Sequence, residues 1–498
     1  MQRRLFLGAI GTTATGLLAG CGGIGGEEDP ASSKRTTDNT STAPPSESEN
    51  GQLSFGVDIT EQYLAADGST DDGANLQTAI EKEEGQTLIL REGSGVINLD
   101  TQVAPSTSGK QTVIWCVGGP TIDISDNTAS GALNFASAAN IELRGPVTLA
   151  GATGSGVAYG LVPGDGFHGR KLTFSKGRGG IDVQATNVDL VDVTVEEQHD
   201  AERGEASALR ITDTKDLFVH GLTIDDADRG IEIEDDDSNS SPVDGVEILD
   251  YSVSHIDNSG ASNPSACFAV DAHNHEAGSQ IKDVALRSGT LKSSAQGVTI
   301  KQDGPSLSNI LIDGLEIIDS TDGTYAALVY GEVTLRNIII DVSSTPSFGI
   351  DIGGGDVMLN DVDFRGSTPD APNNLIRLTN QLTGGHVSVK GVHAAGDRWR
   401  FLRATGPVQL DSLHISNVSI DGQWLEDGIA GTGDMLASNG AGATIVNTDL
   451  SVNDPEQDHS INIPSPNAPV TMVSGSANGL INVISDSHFR AVEGMSDR

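Results

Sequence analysis

The sequence predicts an all-β fold: a single-stranded right-handed parallel β-helix of three parallel sheets and ten or more rungs, with an N-terminal capping helix. Three observations predict it. An eight-residue motif recurs along the chain, a further short apolar strand follows most copies, and an acidic turn with a short amphipathic helix precedes them.

The motif reads apolar, any, apolar, any, then Gly, Asp, Asn or Ser, then apolar, any, apolar. It appears as Val188–Val195, Leu217–Ile224, Val246–Val253, Val284–Leu291, Ile310–Ile317, Val333–Ile340 and Val357–Phe364. It returns as Val387–Ala394, Val408–Ile415 and Ala443–Leu450. Successive starts are separated by 21 residues (Val387 to Val408) up to 38 (Val246 to Val284). Alternation at every second residue marks a strand with one face buried. The two apolar pairs of each copy are out of phase by one residue, and without a bend that slip turns the second pair to solvent. The slip falls on residues such as Gly221, Asp250, Asn337 and Asp361. These types accept the left-handed backbone conformation that a sharp corner needs. Each copy is therefore strand, corner, strand.

The third strands are Gly230–Glu234, Phe268–Ala272, Gly297–Lys301, Ala326–Tyr330 and Gly349–Gly353. Three short strands per turn, stacked turn on turn, enclose a narrow column of Val, Ile, Leu and Ala. A leucine-rich repeat needs a Leu/Asn consensus that is absent. A sandwich or propeller needs antiparallel hairpins with Asn-Gly turns, and few are present.

Composition agrees. Of 498 residues, 36% are hydrophobic and only 4% aromatic, while Gly numbers 61. A thin coil core tolerates that scarcity of aromatic volume; a large globular core does not. Asp and Glu total 70 against 29 Lys and Arg, a net charge of −41. The acid is spread along the chain rather than gathered in a tail, which reads as a solvated surface adapted to high salt. No basic stripe exists to neutralise phosphates, so no nucleic-acid partner is expected. An acidic polysaccharide stays compatible, because near 1 M salt the Debye length is only about 3 Å.

The N-terminus reads as an address. Arg3-Arg4 precede a short apolar stretch, Leu5–Ala19, that ends in Leu18-Ala19-Gly20-Cys21. The stretch is too short to span a membrane. It resembles a twin-arginine lipoprotein signal of halophilic archaea, which implies cleavage before Cys21 and lipidation of Cys21. Residues 1–21 are then the signal, and 22–50, rich in Gly, Ser, Thr, Glu and Pro, a flexible tether. The β-helix domain occupies 51–490. The expected location is the outer face of the cell membrane, with the lipid at Cys21 as the membrane contact. The remaining Cys116 and Cys267 suggest no disulfide framework.

Ahead of the repeats, Asp67-Gly68-Ser69-Thr70-Asp71-Asp72-Gly73 leads into Leu76-Gln77-Thr78-Ala79-Ile80. The Asp/Thr cluster can cap a helix whose Leu76, Ala79 and Ile80 form one apolar face and cover the open end of the coil. With the strand Thr87–Leu90 and the turn Arg91-Glu92-Gly93, this run resembles the start of pectate-lyase-superfamily β-helices. The resemblance implies the fold and leaves the reaction open, since that superfamily includes hydrolases, lyases, epimerases and non-catalytic stalks.

Stacking aligns the third strands into outward columns about 4.8 Å from rung to rung. One column reads Gln184, Thr212, Glu234, Asp271, Lys301, Tyr330, Gly353. Its neighbour reads Asp182, Arg210, Glu232, Ala269, Thr299, Leu328, Asp351. Two carboxylates at that spacing raise each other's proton affinity, so one can serve as a general acid. Glu234 and Asp271 are the expected acid and base, with Lys301 holding a sugar acid or tuning the pair; Arg210, Glu232 and Tyr330 are expected to bind substrate. Asp271, His273 and His275 alternate along an extended segment, which could supply a catalytic His273 or a transition-metal ligand set. In an alternative lyase reading, Glu232, Glu234 and Asp271 hold Ca²⁺ while Lys301 or Arg210 abstracts a proton beside a uronate carboxyl.

The strip also resembles family 28 glycoside hydrolases in part. Asp228 before Gly230-Ile231-Glu232 matches the place of their paired aspartates, and Thr299-Ile300-Lys301 that of their Arg-x-Lys, which implies catalytic roles for Asp228 and Lys301. It departs in having Thr299 for the arginine, no Asn-Thr-Asp triplet and no Gly-His-Gly segment near Ala266-Cys267-Phe268. The expected function is cleavage of glycosidic bonds in an extracellular polysaccharide, by hydrolysis or elimination. The alternative is a non-catalytic β-helix that binds glycan or spaces the envelope.

Overall fold

The computed structural model describes residues 56–492. Excepted are 93–94, 153–157, 201–206, 235–241, 257–265, 273–279, 293–295, 303–305, 319–324, 342–347, 367–372, 380–384, 396–398, 406–410, 422–428, 433–442, 451–458, 464–469, 478–479 and 484–488. At some strand positions, Asp271 and Lys301 among them, the description is of backbone register. The signal, the tether and Cys21 lie outside the described residues, as do His273 and His275.

The chain forms a right-handed parallel β-solenoid of about 11 turns, with two helices near its start. The motif copies appear as long continuous strands, such as Thr186–Gln198, Lys215–Ala227, Val243–Ile256 and Gln280–Lys292. Each carries buried residues on both sides of a bend. In Thr186–Gln198 the buried pairs are Val188 with Leu190, then Val193 with Val195, and Asp192 between them is exposed.

The bend is a column of left-handed residues, and the strand registers stack them rung on rung. Asp192 has φ 57°, Gly221 73°, Asp250 52°, Ser288 57°, Gly314 71°, Asn337 55°, Asp361 57° and Gly391 65°. Because hydrogen bonding runs through this corner, the expected three sheets are two hydrogen-bonded ones. A 20-stranded sheet is folded lengthwise along the corner column, and a 14-stranded sheet of third strands closes the remaining side. The parallel pairing rules out the sandwich and the propeller.

The coil begins earlier than the motif suggested. Rungs at Ile141–Ala150 and His168–Gly177 precede it. In the first, the corner takes an extra residue, with a register shift between Arg144 and Val147. In the second, Gly169 stands where an apolar side chain is expected; a Cβ there would come within 2.9 Å of both Leu172 and Leu190. Gly289 is a sharper case of the same complementarity. Tyr251, on the preceding rung, turns its ring into the core at 3% exposure. A Cβ on Gly289 would lie 2.0 Å from that ring.

Leu76, Ala79 and Ile80 of the helix Gly73–Lys82 are buried, as expected of a cap. The acidic turn works differently from simple N-capping. Asp71 accepts from the Gly73 amide at 3.0 Å, while Asp72 reaches back to the Ala65 and Ala66 amides at 2.7 and 3.0 Å. Asp67 closes its own turn onto Ser69 and Thr70. A second short helix, Ile59–Tyr63, is capped by Asp58. No helix among the described residues is long and apolar enough to cross a membrane.

Two substitutions test this account. Asp192→Val places a β-branched residue in the left-handed region and should lower unfolding stability by about 1–2 kcal/mol in denaturant titration, while Asp192→Gly should not. Gly289→Ala should cost about 1–3 kcal/mol through overpacking. Shrinking the opposing ring in Tyr251→Leu/Gly289→Ala should recover part of that loss; an additive double variant would contradict the packing.

Candidate functional site

The smaller sheet positions the site. Ile231, Ile233, Phe268, Val270, Val298 and Ile300 are buried in the core, so alternation directs the intervening residues to the outer face. The observed register joins Asp182 to Arg210, Arg210 to Glu232, Glu232 to Ala269, Ala269 to Thr299, Thr299 to Leu328 and Leu328 to Asp351. In the neighbouring column Glu234 pairs with Asp271 and Asp271 with Lys301. The two columns expected from the strand pattern are therefore present. One position shifts: a bulge after Val329 pairs Tyr330 with Gly354 rather than Gly353. The Tyr330 ring nevertheless lies over Gly353, where a Cβ would come within 1.9 Å of it.

The outer face is not simply wet. Asp182 and Glu232 are each 5% exposed and Thr299 is 4% exposed. Buried carboxylates need partners. Glu232 accepts from the Arg229 guanidinium at 2.5 Å and from the Ser207 hydroxyl. Glu234 accepts from Arg210 Nε at 3.0 Å, and Arg210 Nη1 lies 3.8 Å from Asp182. The two glutamates, two residues apart on one strand, also hydrogen-bond to each other.

Their proton affinities diverge. Burial, then the neighbouring Glu234 charge, pushes Glu232 well above the usual carboxylate range, against the pull of Arg229 and Ser207. Burial alone would raise Glu234 as well. The hydrogen bond from Glu232 and the charge of Arg210 outweigh it and hold Glu234 low. The result is a protonated acid donating to an ionised carboxylate. Burial together with the Asp182 charge keeps the Tyr159 hydroxyl protonated. Arg210 is pushed further toward its charged form: burial works against this, and the neighbouring carboxylates Glu234 and Asp182 prevail.

Not every expected residue joins this cluster. Asp228 sits before the strand Arg229–Glu234, six residues from Glu234, roughly 20 Å at about 3.3 Å per residue. It is buried at 6% exposure and takes a different task. It accepts from the Asp200 amide at 2.8 Å and faces His199 Nδ1 at 3.0 Å, while His199 Nε2 lies 3.2 Å from Asp226. Arg178 then pairs with Asp200 at 2.8 Å. This knot ties together the corners of successive rungs.

Arg229, Ser207 and Tyr159 escaped the strand pattern. Arg229 and Ser207 share the parity of the core residues Ile231 and Leu209, so alternation alone assigns them inward. The register pairs Ser207 with Arg229 at the strand ends, where both reach Glu232.

No group of three or more His, Cys, Asp or Glu is placed to hold a metal among the described residues. A carboxyl pair that shares a proton and faces two guanidinium groups does not fit a divalent cation, so Glu232 and Glu234 do not suit the Ca²⁺ role. Nor can Arg210 serve as a proton acceptor.

No known family and no curated protein matches this chain. Among solved structures, it is similar to a GH87 α-1,3-glucanase catalytic unit of Streptomyces thermodiastaticus, at 13% identity and TM-score 0.31, over 89% of this chain and 69% of that one. It is similar to the A-module of mannuronan C-5 epimerase AlgE4 of Azotobacter vinelandii, at 15% identity and TM-score 0.39, over 76% and 99%. It is also similar to PfbA, a surface adhesin of Streptococcus pneumoniae, at 12% identity and TM-score 0.32, over 78% and 90%. These likenesses transfer no residue roles to this chain.

The divergent glutamates give stability opposite pH slopes. Folded Glu232 keeps a proton that the unfolded chain releases near 4.5. Its contribution is full below 4.5 and is lost as pH rises through the raised value. The contribution of Glu234 is present above 4.5 and is lost as pH falls through its lowered value. Glu232→Gln should therefore lessen the loss of melting temperature on the alkaline side and keep the loss on the acid side. Asp351, also raised by burial, retains its own alkaline share. Parallel alkaline slopes for wild type and variant would count against a protonated Glu232.

Proposed function

We propose that this chain cleaves glycosidic bonds of an extracellular polysaccharide lying along the outer face of the smaller sheet. The observation that carries the reading is the Glu232–Glu234 couple, a protonated acid against an ionised carboxylate on a face that strand alternation turns away from the core. Glycoside cleavage needs a proton donor and a separate carboxylate. Glu232 and Glu234 touch, so no sugar ring fits between them, and they act as one proton-holding unit. The second carboxylate is assigned to Asp271, on the next rung about 4.8 Å away. That spacing is close to the separation of about 5–5.5 Å used in retaining glycosidases. Lys301, in register one rung further, is assigned the role of holding an acidic sugar. Arg210 and Arg229 are positioning residues that hold the two glutamates.

In the same reading the chain is exported and held at the outer membrane face by a lipid on Cys21, with 22–50 as the tether. The acidic surface suits a salt-rich exterior.

The ion-paired Arg210 and Arg229 on the same face favour one other reading, a rigid glycan-binding surface without turnover. A panel of polysaccharides in molar salt separates the two. New reducing ends with the ultraviolet absorbance of an unsaturated uronate mean elimination; reducing ends alone mean hydrolysis; silence on every substrate means binding only. Glu234→Gln and Asp271→Asn should each lower kcat by about 100-fold or more. Full activity in both variants would remove the site.

A further inference from the structure

Beyond the glutamates, the same outer column continues through Asp351, Arg377 and Arg403, which are paired in register. Asp351 is 1% exposed and engages Arg377 through both carboxylate oxygens, one from Nε at 2.9 Å. Arg403, half-buried on the next rung, has no ion pair among the described residues, and its buried Nε has no hydrogen-bond partner. Among the described residues of this chain of net charge −41, no carboxylate pairs with that guanidinium.

A second orphan lies beside it. Thr379, two residues beyond Arg377 on the same strand, shares its face. It is 8% exposed, and its hydroxyl has no partner. The core residues Ile376 and Leu378 fix that parity. Two rungs before Thr379 and three before Arg403, Tyr330 lays its ring over Gly353 of the intervening rung. A guanidinium and a hydroxyl thus lie on adjacent rungs, with an aromatic face further along the same surface.

We propose that Arg403 and Thr379 form a subsite for the acidic group of a polysaccharide, a carboxylate or a sulfate ester, with Tyr330, three rungs back, facing a neighbouring sugar of the same polymer. Both orphan groups offer hydrogens to anionic oxygen. A guanidinium presents a planar fork that matches carboxylate and sulfate geometry. From Glu232 the column passes Ala269, Thr299, Leu328, Asp351 and Arg377 to Arg403. Those six rung steps span about 29 Å at about 4.8 Å each. A ligand that engages both places is a polymer of several sugars. This deepens the reading of the face as a polysaccharide site and names the substrate class as acidic.

The test is titration calorimetry of the full chain in salt from low to molar. The probes are alginate, carboxyl-reduced alginate, dextran sulfate and dextran. Wild type should bind one acidic polymer at least tenfold more tightly than its neutral counterpart; alginate and dextran sulfate distinguish carboxylate from sulfate ester. Arg403→Gln should remove most of that preference, Arg403→Lys should keep part of it, and the near-isosteric Thr379→Val should weaken it without unfolding the chain. Circular dichroism confirms that each variant is folded. Glu234→Gln separates this proposal from turnover: an inactive protein that still prefers the acidic polymer through Arg403 supports the subsite even if cleavage is never found. Equal affinity for acidic and neutral polymers, or an unchanged preference in both Arg403→Gln and Thr379→Val, overturns the subsite and leaves the cleavage reading standing.

Discussion

A backbone corner, repeated at the same height in every turn, is the constraint on which the rest of the molecule depends. Parallel pairing stacks each residue on its equivalent one rung away, so a bend in one strand forces the same bend in its neighbours. The left-handed conformation that makes this bend is open to Gly, Asn and Asp and costly for β-branched residues. Asp192, Gly221, Asp250, Asn337 and Asp361 meet that demand with several residue types and one backbone shape. Where Lys171 or Ser288 stands in the column, tertiary pairing has overridden local preference. Once the corner is set, apolar rows face the core on both arms and polar rows line up outside.

That line-up governs the electrostatics. A column of outward residues is a one-dimensional series of charges about 4.8 Å apart. Asp182 lies beside Arg210, which reaches across to Glu234 in the neighbouring column, and Asp351 lies beside Arg377, so these buried charges are offset by opposite neighbours. Glu232 beside Glu234 breaks this pattern. Two adjacent acids share a face where only one charge is well supported by Arg210, and the more buried one keeps its proton. The same coil geometry that stabilises most of the ladder therefore prepares a proton donor where two acids meet.

Much of the fold was legible because a coil repeats its rules. The phase slip at Gly221 and Asp250 is a local signal that recurs, and the alternation of Ile231-Glu232-Ile233-Glu234 assigns faces without any tertiary information. The early rungs were harder to see. Gly169 and the two-residue corner at Gly145-Pro146 break the pattern, and each makes sense only beside its neighbours. Gly289 is likewise unreadable without Tyr251 one rung away. Of the three expected parallel sheets, two are joined into one hydrogen-bonded sheet because pairing continues through a left-handed corner. In the site, the columns could be read, but the partners at the strand ends could not. Arg229 and Ser207 carry the parity of core residues and reach Glu232 because side chains at a strand end are free of the sheet's alternation. Asp228 looked catalytic from its place before a strand, yet the corner below it supplies His199 and the Asp200 amide as partners.

The sequence by itself determined the coil, its direction of stacking, the capped end and the membership of the outward columns, since each follows from periodicity and from residues tolerant of one backbone shape. Only the tertiary structure decided which carboxyl keeps its proton, which arginine is spoken for, and that Asp228 stands apart from Glu234. Those outcomes depend on burial and on side-chain reach across rungs, and neither is encoded in the spacing of residues along one strand.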